Sequence, residues 1–198
     1  MAHMKPLPFD DLPEDIQERF LHYKKTRGFT PNSIQTMVRR PNIVRAFMQL
    51  NQAVLYDGTV DEELKMLVSL IASQVAGCRY CQAHMANLSK IYAASKEKIS
   101  MVWEFEQSDL FSNAEKAALR VAYSGALAPS EATQEQFDEL YKYFDEGQVV
   151  EIVASIALFG FLNRWNDTMA TELEDVPAKV ANEMIGDSFG WEAGKHQA

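Results

Sequence analysis

Both cysteines of the chain and one of its four histidines fall in a single stretch, Gly77-Cys78-Arg79-Tyr80-Cys81-Gln82-Ala83-His84. Thiols three residues apart share one face of a helix. The run Cys81, His84, Leu88, Ile91, Tyr92 continues that face as one helical stripe, with Cys78 at its edge one turn nearer the N-terminus. Gly77 is a residue at which one helix ends and another begins. Free backbone N–H groups and the positive end of the helix dipole then lie beside the thiols. Both lower a thiol pKa and raise the fraction of reactive thiolate.

Three kinds of chemistry suit this cluster. In a dithiol redox site, a thiolate attacks a peroxide oxygen or a disulfide, and the second thiol resolves the product into an intramolecular disulfide between Cys78 and Cys81. His84, one turn beyond Cys81, is placed to take or return the thiol proton, and no cofactor beyond the redox-active disulfide is needed. In a metal site, Cys-x2-Cys-x2-His offers three ligands where zinc usually takes four. The other histidines, His3, His22 and His196, have no ligand spacing to a Cys or His. In a purely structural reading, the cluster is two buried thiols and a satisfied histidine.

The elements that must position these residues are helical. A chain of 198 residues, 47% hydrophobic, suffices for one well-filled core or two fused halves. Pro13-Glu14-Asp15 opens a helix ending near Gly28, and His22 on it reads as a surface residue. Pro31 and Pro41 punctuate two further helices, 32–38 and 42–56. Asp61-Glu62-Glu63 is the acidic first turn of a helix reaching Ala76, apolar nearly all round and therefore buried on several sides. Ser95 caps a short helix running to Phe105, and Ser112 and Thr133 open capping boxes. Gly147 precedes a long apolar helix, 148–170. The tail has Pro177, then a weak helix, then Gly186, Gly190 and Gly194, and is expected to fray. No stretch alternates with a two-residue period, so the predicted fold class is all-α.

Net charge is −9 with scattered basic residues, which speaks against nucleic acid or an anionic membrane as partner. No uninterrupted apolar run approaches the roughly 20 residues of a membrane span, and the N-terminus lacks a signal-peptide pattern. Two cysteines do not make a disulfide-stapled secreted fold. The chain reads as soluble and cytoplasmic. Met1-Ala2-His3-Met4 reads as a vector scar before a second start methionine, so His3 is left out of the chemistry.

Shifted by 85 residues, Leu67–Ser73 aligns with Ile152–Leu158, and Cys78-Arg79-Tyr80-Cys81 with Asn163-Arg164-Trp165-Asn166. We read these as two copies of a helix-pair unit, near 61–94 and 146–175 of one 1–198 domain, with thiols in the first copy only. The alignment sets Glu151 opposite Met66. Glu151 is the only ionisable side chain between Val149 and Asn163. Burial there raises its pKa and suits it to proton transfer, unless it pairs with a Lys or Arg near the helix start.

The Cys78–His84 stretch, entered by the Leu64–Val75 helix, resembles the carboxymuconolactone decarboxylase / AhpD-like superfamily, nearest its peroxidase-related branch. Thr36-Met37-Val38-Arg39-Arg40-Pro41 upstream and Leu158–Asn166 downstream extend the likeness over roughly residues 30–175. The resemblance implies an all-helical, internally duplicated fold, assembled as trimers or hexamers, with a dimer the alternative. It implies alkylhydroperoxidase or disulfide-reductase activity fed by a thioredoxin-like or lipoyl protein. Carried over, Cys81 attacks peroxide, Cys78 resolves, and His84 with a glutamate relays protons. Two features depart from the pattern. His84 is i+3 from Cys81 where the family has i+4, and the relay glutamate, twelve residues before the first Cys, is here Met66. Glu151 is the expected substitute, Glu62 and Glu63 being exposed helix-start acids. The alternatives are a non-catalytic oligomer binding a small apolar ligand, and a decarboxylase-like lyase.

Overall fold

In the computed structural model, which describes residues 1–197, the chain forms ten α-helices, with no strand among the described residues. They are α1 (Glu14–Arg27), α2 (Asn32–Met37), α3 (Pro41–Leu55), α4 (Glu62–Val75) and α5 (Arg79–Ile91). After them come α6 (Lys96–Ser100), α7 (Asn113–Ala126), α8 (Gln134–Leu140), α9 (Glu146–Met169) and α10 (Asp175–Phe189).

Local chemistry sets most helix starts. Ser112, Thr133 and Asp145 accept from the backbone three residues on, and Glu115, Gln136 and Gln148 reach back, making capping boxes at α7, α8 and α9. Gly147 sits inside the first turn of α9 instead of separating it from α8. The segment expected to run from Ser95 to Phe105 as one helix stops at Ser100 and continues as a 3-10 turn, Val102–Glu104.

The core forms around α4, which packs on α5, α7 and α9. Every residue from Leu64 to Ser73 is buried, as expected of a helix apolar nearly all round. Its two inner hydroxyls are satisfied within the helix, Ser69 donating to the Lys65 carbonyl and Ser73 to that of Ser69. By length and composition α9, with 24 residues, is long and apolar enough to cross a membrane, although Glu151, Arg164 and Asp167 interrupt its apolar run. Its packing is that of a core helix, with Ser155, Asn163 and Asn166 buried along it and α3, α4, α5 and α7 around it. The two stretches aligned by the 85-residue shift differ in local shape. The first breaks at 76–78 between α4 and α5, whereas α9 runs unbroken through 163–166.

The expected role of Glu151 is corrected. Its carboxylate ion-pairs with Lys65 Nζ at 2.7 Å and accepts from the N–H groups of Thr59 (2.9 Å) and Val60 (3.0 Å). Gly58, at φ +107°, brings the loop so close that any Cβ there would overlap this carboxylate. Glu151 lies fifteen residues before Asn166 on the same helix, about 22 Å at 1.5 Å per residue, and Asn166 is the α9 side chain that touches a thiol. Partial burial pushes the Glu151 carboxyl up, but Lys65 and the two amides more than reverse this and hold it at about 2. It is a structural anion, not a proton carrier.

The fraying tail is also corrected. α10 packs on α5 and α6 with Val180, Ala181, Met184 and Ile185 buried. Beyond it Trp191 is buried and donates from Nε1 to the Arg79 carbonyl at 3.1 Å. Leu173 N–H donates to the His196 carbonyl at 2.8 Å. The buried indole and these two long-range hydrogen bonds hold the tail in place despite its three glycines.

Glu151→Gln leaves the buried Lys65 ammonium without its counter-charge and is expected to lower unfolding stability at pH 7 by about 3 kcal/mol. Because the folded pKa lies below the ordinary 4.5, the parent holds this stability above that value. It loses it as pH falls through about 2. Urea unfolding at pH 7 and pH 3 checks both, since the difference between parent and variant shrinks at the lower pH.

Candidate dithiol site

The thiols stand at the junction of α4 and α5. Gly77 adopts φ +71°, which turns the chain sharply after Ala76, and nothing crowds its α-carbon. Its glycine is thus needed for backbone conformation, not for space. Cys78 follows as the N-cap of α5, in extended conformation, with Cys81 in the first turn. Both side chains are buried free thiols next to the orphan N–H groups of the helix start.

The two thiols are made unequal by their neighbours. The Cys81 S–H donates to the Cys78 sulfur, which outweighs burial and, with help from His196, brings Cys78 down to about 6. Burial, and then the adjacent Cys78, pushes Cys81 well above the ordinary thiol range. The pair therefore gives up one proton readily and keeps the other. Asn166 Nδ2 donates to Cys81 Sγ at 3.4 Å.

A largely buried carboxylate, Glu174, organises the cavity side. It accepts from His84 Nε2 at 2.7 Å through one oxygen. Through the other it accepts from the Tyr80 hydroxyl at 2.9 Å and from the Asn32 backbone N–H. The Tyr80 ring stacks on His84 at 4.3 Å between centroids, and Phe29 meets the imidazole edge-on at 5.3 Å. Burial, reinforced by Glu174, holds the Tyr80 hydroxyl well above its ordinary pKa, so it remains a donor. With Nε2 committed to the carboxylate, Nδ1 is the His84 nitrogen left for proton exchange.

A second histidine reaches the opposite side of the pair. His196 is fully buried, with Nδ1 donating to the Thr171 carbonyl at 2.8 Å. Its Nε2 makes no hydrogen bond of normal length. It lies 3.8 Å from Asp167 Oδ1 and acts on Cys78 through a longer contact.

Cys81, not Cys78, opens onto a narrow cavity of about 50 Å³. Tyr80, His84 and Asn166 line it together with apolar side chains including Ile34, Phe47, Met85 and Phe159. A larger groove of about 720 Å³ between α4, α7 and α9 carries Asn163, Arg164 and Asp167 on its wall but neither thiol. Asn163 instead donates to the Ala72 carbonyl at the end of α4. No group of three His, Cys, Asp or Glu side chains with metal-holding geometry occurs among the described residues.

The structure thus brings Cys78, Cys81 and His84 together and leaves Glu151 at the far end of α9. A carboxylate does face His84, but it comes from Glu174, at the start of a helix in the supposedly frayed tail. Glu174 and His196 were missed because both lie more than 85 residues downstream of the thiols. The available signals were the acidic cluster Glu172, Glu174, Asp175 at a helix start before Pro177, and a lone Trp191.

The chain belongs to the carboxymuconolactone decarboxylase / AhpD-like superfamily: residues 41–124 match the Carboxymuconolactone decarboxylase family, and the whole fold is shared with solved members. The debrominase Bmp8 is 34% identical, superimposes with a TM-score of 0.84, and covers 91% of this chain and 96% of its own. It has also been solved as a cysteine-to-alanine variant in complex with 2,3,4-tribromopyrrole. An uncharacterised peroxidase-related protein with an alkylhydroperoxidase AhpD core, from Ralstonia eutropha JMP134, is 25% identical with a TM-score of 0.79, covering 88% and 93%. Escherichia coli YnjA, uncharacterised, is 28% identical over 120 residues, 61% of this chain and 63% of YnjA. The match therefore spans a little under two thirds of that relative's length.

Thiolate absorbance at 240 nm is expected to rise by one equivalent around pH 6 and to vanish below it. Cys81→Ala removes the S–H donor and shifts the remaining transition upward. His196→Ala shifts it the same way by a smaller amount, His196 being the weaker influence.

Proposed function

We propose that the protein is a dithiol oxidoreductase that reduces an organic hydroperoxide or a disulfide, with Cys81 as the attacking sulfur and Cys78 as the resolving one. The observation that carries this reading is position: only Cys81 faces the cavity beside His84, and its S–H···S contact with Cys78 lets the pair's one proton pass between the sulfurs.

The proton that Cys81 holds passes along the S–H···S contact to Cys78, and the Cys81 thiolate so formed attacks the distal peroxide oxygen as the O–O bond breaks. The departing alkoxide takes a proton from His84, whose ring Glu174 holds in place. Cys78 then attacks the Cys81 sulfenic sulfur, and the hydroxyl leaves with the Cys78 proton as water. The dithiol is oxidised by two electrons to a disulfide, and the hydroperoxide is reduced to alcohol and water. A disulfide substrate follows the same course through a mixed disulfide. A thioredoxin-like or lipoyl dithiol returns the electrons. The acid contributed by Glu174 stands in for the relay glutamate missing at Met66.

The likeness to Bmp8 supports a second reading, in which the electrophilic atom is a ring bromine. Cys81 takes the bromine, the ring carbon takes a proton from His84, and Cys78 displaces bromide to give the same disulfide.

Cys81→Ser is expected to lower cumene hydroperoxide consumption at least 100-fold. Cys78→Ser should stall after one event, with Cys81 captured by dimedone as sulfenic acid. Glu174→Gln should reduce turnover about 10- to 100-fold. Mass spectrometry of the oxidised parent reads the disulfide directly. Undiminished consumption by Cys81→Ser refutes the assignment, and bromide release from a bromopyrrole without hydroperoxide consumption selects the second reading.

A further inference from the structure

The α5 stripe that begins at Cys81 leads out of the thiol cavity. Cys81, His84 and Leu88 line the inner cavity; Ile91 and Tyr92 line a second pocket of about 150 Å³ nearer the surface. The eleven residues from Cys81 to Tyr92 cover about 16 Å of helix. Tyr23, Arg27 and Tyr56 border both spaces, so the two adjoin across these side chains on a line from the surface toward Cys81.

The two compartments share Arg27. The inner wall carries Ile34, Phe47, Leu55, Met85, Leu88 and Leu162 beside the polar Asn51, His84 and Asn166. The outer wall carries Arg19 and Arg27, in a chain of net charge −9. Arg45 and Arg120 pair with acids, Asp15 and Glu106, whereas Arg19 and Arg27 have neutral partners. Arg19 donates to Gln52 Oε1 at 3.1 Å and Arg27 to the Tyr56 hydroxyl at 2.7 Å, with the Arg27 guanidinium 4.5 Å over the Tyr23 ring. Aromatic stacking holds the Arg27 fork at the neck of the path without neutralising it. A guanidinium fork of this kind matches a carboxylate.

We propose that this path is the substrate channel, and that it selects a slender apolar carboxylic acid whose acidic group meets Arg27 and Arg19 while its far end reaches Cys81. This deepens the dithiol reading by naming the substrate class: a carboxylate-bearing hydroperoxide or disulfide with an apolar chain between its acid and its reactive group. Neutral molecules of the same length leave the arginines without an anion and bind less tightly.

The test uses the reduced full-length protein and two unreactive probes of equal length, decanoate and 1-decanol. Isothermal titration is expected to show decanoate binding at least tenfold more tightly, with the preference falling as salt is raised. Decanoate should also slow iodoacetamide labelling of Cys81. Arg19→Met, whose side chain bonds only Gln52, is expected to narrow the preference, and Arg27→Met to erase it. Because Arg27→Met also loses two ring contacts that steady α1, Arg27→Lys is run beside it and should retain most of the preference. Equal binding of the two probes by the parent overturns the proposal, as does a preference that survives both Arg19→Met and high salt. Neither measurement needs turnover. Selective decanoate binding without hydroperoxide reduction would dismiss the redox reading and keep this one, while hydroperoxide reduction with no preference for acids would do the opposite.

Discussion

The Glu174 carboxylate is the constraint on which the site depends. A buried anion is costly unless every lone pair it turns inward finds a donor. Here three donors from two other helices converge on it: the Asn32 amide at the start of α2, and the Tyr80 hydroxyl and His84 imidazole of α5. Satisfying one group therefore locks α10, α2 and α5 in register. It also fixes the rotamer and the ring nitrogen of the histidine nearest Cys81. The Asn32 side chain adds a bond to the Glu172 carbonyl at 2.9 Å, so the junction is held from both sides.

The thiols need a second kind of control, because two identical groups must take different roles. Geometry supplies it. Cys78, as N-cap, points back toward the end of α4 and the C-terminal turn, where His196 approaches it; Cys81, three residues on, faces the cavity with Asn166 above it. Burial penalises a second negative charge so strongly that the pair holds one proton between them. A thiolate is thus available near neutral pH, with the substrate-facing sulfur and the resolving sulfur already assigned by position.

Much of this was legible in the sequence where the governing interaction is local. The capping boxes at Ser112 and Thr133, the break at Gly77, the burial of the Leu64–Ser73 helix and the shared face of Cys81, His84 and Leu88 all follow from spacings of seven residues or fewer. Glu151 shows where such reasoning fails. An isolated acid in an apolar helix is equally consistent with a proton carrier and with a structural anion. Which it is depends on Lys65, Gly58 and two loop amides, all about 90 residues away in the chain. The tail failed for a related reason: composition measures the entropy of Gly186, Gly190 and Gly194 but not the indole pocket that receives Trp191.

By itself the sequence determined the all-helical class, the dithiol at a helix start and the histidine one turn on, because each is set by periodicity and backbone preference within a few residues. Only the tertiary structure decided which acid faces that histidine, which second histidine reaches Cys78, and which sulfur meets the cavity. Those are contacts between elements 85 to more than 110 residues apart. They arise where α9 packs on α4 and α5, and where α10 and the C-terminal turn pack on α5.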